Sequence, residues 1–265
     1  MPYYGEQLDE IHLPFNFQFV TMPTWEASTI RQTVDGYEAA LPEEAWPNWV
    51  LGNHDQTRIA TRVGREQARL TQMLLLALRG TPTCYYGDEL GMQDVPLPRE
   101  LMHDPAGKED HEKSRDPVRS PMQWDGSANA GFCTPKATPW LPIADDYQIY
   151  NVAHEQRDPR SFLMLTHRLL ELRRALPALT IGSYQSIEQE NITCFVYLRQ
   201  HANQHCLVVL NFSTQNQVVM LPGLVQGRVL LSTHVDRDGL ISLSEVRLRG
   251  NEGLLVEMEA SSLPG

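Results

Sequence analysis

The stretch Asn48-Trp49-Val50-Leu51-Gly52-Asn53-His54-Asp55-Gln56-Thr57-Arg58 decides how the chain is read. Asn48 to Leu51 is short and apolar, as a strand buried on both faces would be. It ends in glycine and then Asn53-His54-Asp55. α/β barrels put their chemistry at the C-terminal ends of strands, so a carboxylate there is a candidate for function. Taken alone, the dyad reads more simply as a helix cap or as a mutual His–Asp pair.

Working outward, short apolar segments alternate with helical ones. His12 to Phe19 upstream reads as a strand. Trp25 to Ala40 carries Ile30, Val34, Tyr37 and, just beyond, Leu41 at helical spacing. Pro42 and Pro47 break the chain before the quoted segment. Downstream, Gln67 to Arg79 is an amphipathic helix with Gly80 as its stop. Thr83 to Tyr86 is strand-like again, and Arg160 to Leu176 is helical. A β-α-β-α-β-α order implies parallel strands with crossover helices. Gly91 to Asp158, rich in Pro, Asp and Gly, interrupts it as a long irregular loop, and loops of that length are usually functional or disordered.

After Pro177 the texture changes. Ser183–Ile187, Thr193–Arg199, Cys206–Phe212, Val218–Leu221, Val229–Ser232 and Leu254–Glu259 are short apolar or alternating runs between polar turns. They predict a small antiparallel β domain. The fold class is therefore α/β followed by all-β, with domains at 1–178 and 179–265.

Composition excludes several partners. With a net charge of −11 over 265 residues, the chain repels phosphate backbones and anionic lipid, so neither nucleic acid nor a membrane surface is an expected partner. No apolar run is long enough to span a bilayer, and the start Met1-Pro2-Tyr3-Tyr4 lacks a basic n-region and apolar stretch. Cys84, Cys133, Cys194 and Cys206 form no CxxC pair. A hairpin turn near Ala202 would set Cys194 opposite about Leu210 and Cys206 opposite about Leu198. Free thiols in a cytoplasmic setting follow.

Two decoys carry little weight. Asp236-Arg237-Asp238-Gly239-Leu240-Ile241 with Glu245 imitates part of a calcium loop. His234 would be its first ligand, and strand-like flanks replace the helices, so a β-turn is the better reading. His103 and His111 lie in an irregular acidic loop without metal-ligand spacing. No cofactor and no metal are expected.

Four further segments join the quoted one: His12-Leu13-Pro14-Phe15-Asn16-Phe17; Gly80-Thr81-Pro82-Thr83-Cys84-Tyr85-Tyr86-Gly87-Asp88-Glu89-Leu90-Gly91; Arg115-Asp116-Pro117-Val118-Arg119-Ser120-Pro121-Met122-Gln123-Trp124; and Asn129-Ala130-Gly131-Phe132. In order and spacing they resemble the oligo-1,6-glucosidase and α-glucosidase branch of the α-amylase superfamily, from about Tyr3 to Glu259. The resemblance implies a (β/α)8 barrel followed by a C-terminal β-sandwich. On that map the strand holding His12 is the sixth, Trp49 to Leu51 the seventh and Thr83 to Tyr86 the eighth. A full barrel typically takes about 250 residues, and here about 180 precede the β domain. The first five strands, and with them the family's nucleophile Asp and acid/base Glu, are expected upstream of Met1. A retaining glycosidase needs both of those carboxyls.

What the resemblance leaves here is a third carboxylate. Asp55 would bond sugar hydroxyls and stabilise the oxocarbenium-like transition state. His54 would donate to the same sugar, Arg115 would return on the long loop toward that subsite, and Arg58 would line an outer subsite or cap the next helix. Thr57 stands where relatives carry Pro, and Cys84 where many carry a bulky apolar residue. The implied partners are small α-glucoside oligosaccharides and the missing N-terminal barrel half. The chain by itself is expected to be inactive. The competing expectation is a non-catalytic sugar-binding or interaction module of the same fold, as in the anchored subunits of amino-acid transporters.

Overall fold

In the computed structural model, residues 2–258 are described; Glu259, the expected end of the last strand, lies outside them. The chain separates into two compact units. One takes the chain up to Val50, Leu70–Thr83 and everything described from His167 onward, and the other takes Leu51–Arg69 and Cys84–Thr166. The boundary expected at 178/179 falls inside the first unit.

In order, the elements are α1 (Ala27–Ala40), β1 (Asn48–Val50), α2 (Ile59–Ala77), β2 (Thr81–Thr83), α3 (Pro105–Glu109), α4 (Val152–Glu155), α5 (Phe162–Ala175) and α6 (Pro177–Thr180). Eight strands follow: β3 (Ser183–Ser186), β4 (Cys194–His201), β5 (Gln204–Asn211), β6 (Gln217–Met220), β7 (Gln226–Ser232), β8 (Gly239–Ser242), β9 (Glu245–Leu248) and β10 (Gly253–Met258).

In the first unit, α1 buries Ala27, Ile30, Val34 and Tyr37, the spacing read from the sequence. β1 is buried along its length and pairs in parallel with β2, Trp49 opposite Pro82. Trp49 anchors this core. Its ring lies 4.8 Å from Phe19 and 5.2 Å from Tyr37, and its Nε1 donates to the Arg79 carbonyl at 2.7 Å. The segment expected as a strand from His12 to Phe19 contributes only one parallel bridge, Asn16 to Trp49. Pro14 offers no N–H for a ladder, and Leu13, Phe15 and Phe17 are exposed.

The third strand runs Thr81–Thr83, earlier than the expected Thr83 to Tyr86, because Thr81 donates to the Pro47 carbonyl at 2.8 Å. Gly80 makes that approach possible. Its φ is +121°, and a Cβ would stand 2.6 Å from the Pro47 oxygen. The carbonyls that end α2 are capped by buried guanidiniums. Arg173 donates to Leu76 at 2.7 Å and Leu78 at 3.0 Å, and Arg199 to Ala77. Burial pulls the Arg199 pKa down to about 10.

The β region is antiparallel. Six strands run in the order β3-β4-β5-β10-β7-β8, and β6 pairs with β9 separately. Val196, Val209 and Val256 of the larger sheet share one apolar cluster with Val219 of β6 and Val246 of β9, which makes two layers. β8 escaped the sequence reading because its burial alternates only between exposed and half-buried. The β4–β5 hairpin sits one residue off the expected register: Cys194 faces Asn211 and Cys206 faces Arg199. All four cysteines are free thiols. The calcium-like segment is a β7–β8 connection whose Asp236 is taken by Arg249, at 2.6 and 2.7 Å.

In the second unit the helix begins at Ile59, not Gln67. The Arg58 N–H donates to Asp94 Oδ1 at 2.9 Å, so a carboxylate distant in sequence caps the helix start. Gly64, at φ +77°, kinks the helix. The stretch from Gly91 to Asp158 is built from short 3₁₀ turns with α3 and α4.

Candidate active site

Asp55 follows a local turn in which its own N–H donates to Asn53 Oδ1 at 2.9 Å. That bond turns the carboxylate toward two arginines. Arg119 Nη2 lies 3.0 Å and Arg115 Nη1 3.4 Å from Asp55 Oδ1. His54 Nε2 lies 3.4 Å from Oδ2, and the His54 carbonyl accepts from Arg119 Nε at 2.9 Å. Asp55 keeps 42% of its side chain exposed, so it is held but can still receive a ligand's hydroxyl groups.

Arg115 is fixed from behind. Asp104, buried, accepts its Nε at 2.7 Å, its Nη2 at 2.8 Å and its backbone N–H at 2.8 Å. These fork-like, charge-assisted bonds hold the Asp104 carboxyl well below the usual carboxylate range and push Arg115 up. Asp116 supports the next layer, accepting the N–H groups of His103 at 2.6 Å and Asp104 at 2.8 Å. A carboxylate therefore orients the loop that orients the arginine that faces Asp55.

His54, Asp55 and Arg115 thus meet. Arg58 does not join them at the surface. Its side chain is fully buried and donates to the carbonyls of Tyr86 at 2.6 Å and Val118 at 2.9 Å. Its guanidinium carbon lies 4.9 Å and 4.7 Å from the rings of Tyr85 and Tyr86. It staples the two segments that carry the aromatic and arginine motifs and stands immediately before the helix that starts at Ile59, the position of the helix cap expected as the alternative to an outer-subsite contact. Near it Asp88 is fully buried, with Oδ1 unpartnered. Burial pushes its pKa up to about 7, opposed by the Arg58 charge.

Arg119, Asp104 and Asp116 were not singled out from the sequence. Arg119 stood in the quoted Arg115 motif, and the 3₁₀ turn Asp116–Arg119 puts both arginines on Asp55. Asp104 carried no signal, because only the fold of an irregular loop brings it to Arg115. His111 gives Nε2 to the Leu97 carbonyl at 2.9 Å, and His103 stacks on Trp140 at 5.6 Å. Among the described residues no group of three His, Cys, Asp or Glu side chains could hold a metal ion, and no helix is long and apolar enough to cross a membrane.

Comparison with known proteins agrees with this architecture. Residues 1–182 match the catalytic domain of alpha amylase, and residues 184–234 the C-terminal domain of maltogenic amylase. An alpha-glucosidase of Apis mellifera is 35% identical over 83% of this chain and 39% of its own length. An oligo-1,6-glucosidase of Parageobacillus thermoglucosidasius is 29% identical over 91% of this chain and 49% of its own. The amino acid transporter heavy chain SLC3A1 of Mus musculus is 33% identical over 97% of this chain and 38% of its own. The trehalulose synthase MutB of Pseudomonas mesoacidophila superposes with a TM-score of 0.84 at 26% identity, over 96% of this chain and 52% of its own. The chain spans about half or less of the length of these relatives. Match, fold and motif order together establish that the chain belongs to the α-amylase family, to whose α-glucosidases and oligo-1,6-glucosidases it is similar over their C-terminal portion.

Proposed function

We propose that these residues are the C-terminal part of a glucosidase acting on α-glucosidic bonds of short oligosaccharides, and that Asp55 binds the sugar whose bond is cleaved. The observation that carries this reading is a half-exposed carboxylate clamped by Arg119 and by Arg115, the latter anchored from behind by Asp104. Two guanidiniums hold the Asp55 carboxylate oriented, so it can accept the sugar hydroxyls. As positive charge develops on the flattening ring, those bonds strengthen, and stabilisation is largest in the transition state. His54 is a second donor or acceptor to the same ring. The relatives' names, alpha-glucosidase and oligo-1,6-glucosidase, support the substrate class.

In this reading the nucleophile and the acid/base belong to the preceding part of the barrel, which is the natural partner of this chain. Residues 1–178 are the barrel portion and 179–265 the sandwich, in the cytoplasm. Arg58 is a scaffold for the site, with no direct contact to sugar.

The test assays the purified 265-residue chain on p-nitrophenyl α-glucoside and isomaltose, with Asp55→Asn as control. The expected result is no turnover, because positioned acid–base help alone is worth about 10²–10⁴-fold and covalent catalysis is lost with it. Addition of a polypeptide supplying the first five strands restores activity that Asp55→Asn abolishes. Turnover by the chain alone that vanishes in Asp55→Asn would show that other carboxylates do the chemistry. A second reading, a non-catalytic module, draws on the match to the transporter heavy chain over nearly the whole chain. It predicts that the complemented protein stays inactive while still folding.

A further inference from the structure

The outer surface of the β6–β9 layer is uncovered among the described residues. The two strands pair with each other, Val218 opposite Arg247 and Met220 opposite Glu245. Val219, Val246 and Leu248 point inward to the shared core, so by strand alternation Val218, Met220, Glu245 and Arg247 point outward. Val218 is 40% and Met220 58% exposed, and beside them Ile192, on the β3–β4 connection, is 77% exposed. Three neighbouring apolar side chains in water differ from the scattered singles of an ordinary surface. The larger sheet packs on α2 instead: a Cβ at its Gly253 would stand 2.8 Å from Leu70 and 2.9 Å from Met73.

The charges around this patch are sorted by sign. On the side of the β3–β4 connection, a cleft of about 590 Å³ is bordered by Glu188 and Glu190, with Ile192, Val218 and Met220 on its walls. Neither carboxylate takes part in an ion pair among the described residues. On the β9 side, a cleft of about 420 Å³ is lined by Arg237, Arg247 and Arg249, and it shares Gln217 and Val218 with the first. Arg249 is directed inward to Asp236 and Glu252, at 2.6 Å each. The Arg247 guanidinium pairs with Glu245 and keeps 78% of its side chain in water. Exposed pairs of that kind contribute about 0–1 kcal/mol, so Arg247 exchanges its partner at little cost. Across the layer the order is acidic, apolar, basic.

A surface ordered this way is complementary to itself. A two-fold axis lying along β6 in the plane of contact sets Val218 and Met220 on their own copies, and sets the acidic margin of each chain on the basic margin of the other. Strand-to-strand addition at this edge is blocked, because Asn191 Nδ2 donates to the Val218 carbonyl at 3.1 Å and to Gln217 Oε1 at 2.9 Å. Contact therefore runs through side chains. We infer that this face joins two copies of the chain in an isologous dimer, with Val218 and Met220 at its apolar centre and Glu188 and Glu190 of each protomer facing Arg237 and Arg247 of the other. Each copy carries a net charge of −11, so the mean fields repel and the contact depends on this local match of sign.

Sedimentation velocity of the 265-residue chain over rising concentration reads the state directly, and a reversible monomer–dimer equilibrium is expected. Val218→Asp sets two carboxylates face to face on the axis. Arg247→Glu, and the double variant Glu188→Arg with Glu190→Arg, each set like charge on like charge at the margins. Each of the three should weaken the dimer by about 100-fold or more. Mixing the Arg247→Glu chain with the double variant brings opposite signs together again, so the mixture should dimerise where neither chain does by itself. Circular dichroism checks that each variant folds, and Val218→Asp carries the test if a charge variant does not. A chain that stays monomeric at every concentration overturns the inference, and so does a mixture that stays monomeric. A dimer that all three variants leave intact also overturns it, and would place the association elsewhere, as at the exposed Phe15 and Phe17.

Discussion

Replacing Arg58 by methionine tests the buried staple seen in the structure against the outer-subsite contact that the sequence left open beside a helix cap. The side chain is fully buried, and methionine fills similar length without charge. The Tyr86 carbonyl loses its donor, at about 1–3 kcal/mol for a buried group left unmatched, and the Val118 carbonyl keeps only the Tyr85 hydroxyl at 3.3 Å. The cation–π contacts with Tyr85 and Tyr86 go as well, worth about 1–2 kcal/mol when desolvated. Asp88, fully buried nearby, loses the cation that offsets its desolvation. Relaxation and entering water return part of this, so the net loss is about 3–5 kcal/mol, the usual cost of removing one partner from a buried charged network. That is a large share of the ~5–15 kcal/mol that holds typical domains folded. Urea unfolding at pH 7, followed by near-ultraviolet circular dichroism, should show a lower midpoint at unchanged slope. Glucose affinity measured below the transition should stay within about two-fold. An unchanged midpoint together with weakened glucose binding would refute the staple and restore Arg58 to the subsite.

Asp88→Asn tests the buried acid. Its folded pKa of about 7 lies above the unfolded value, so the native state binds the extra proton between those limits. Its contribution is therefore fully present at low pH and is lost, at up to about 1.4 kcal/mol per pH unit, as pH rises from about 4 to 7. Denaturation midpoints across that window should fall less steeply in Asp88→Asn. Some slope should persist, because burial also raises Glu155 to about 7; an unaltered slope would mean that Asp88 is ionised throughout. Gly80→Ala puts a methyl 2.6 Å from the Pro47 carbonyl oxygen at a φ of +121°. A loss of at least about 2 kcal/mol is expected by thermal unfolding, from steric overlap and backbone strain together, and a loss under 1 kcal/mol would show that the β1–β2 approach yields easily.

Wherever a local repeat existed, the sequence was enough. The 3.6-residue spacing of Ile30, Val34 and Tyr37 marked α1, the apolar run at Asn48 marked β1, and short apolar or alternating runs between polar turns marked most of the sandwich. Motif order then identified the family and led to His54, Asp55 and Arg115, because those residue types recur in fixed local strings. Contacts between segments distant in the chain have no such repeat, and these the tertiary structure decided. Asp94 starts α2, Asp104 and Asp116 aim Arg115, and Arg119 completes the clamp, each through one side chain reaching across an irregular loop. Arg58 shows the difference most clearly. Its position in the motif left a subsite contact and a helix cap open, and in the fold burial and two backbone carbonyls claim its guanidinium. A buried donor must be matched wherever the fold offers an acceptor, and only the packed chain determines which acceptor is in reach.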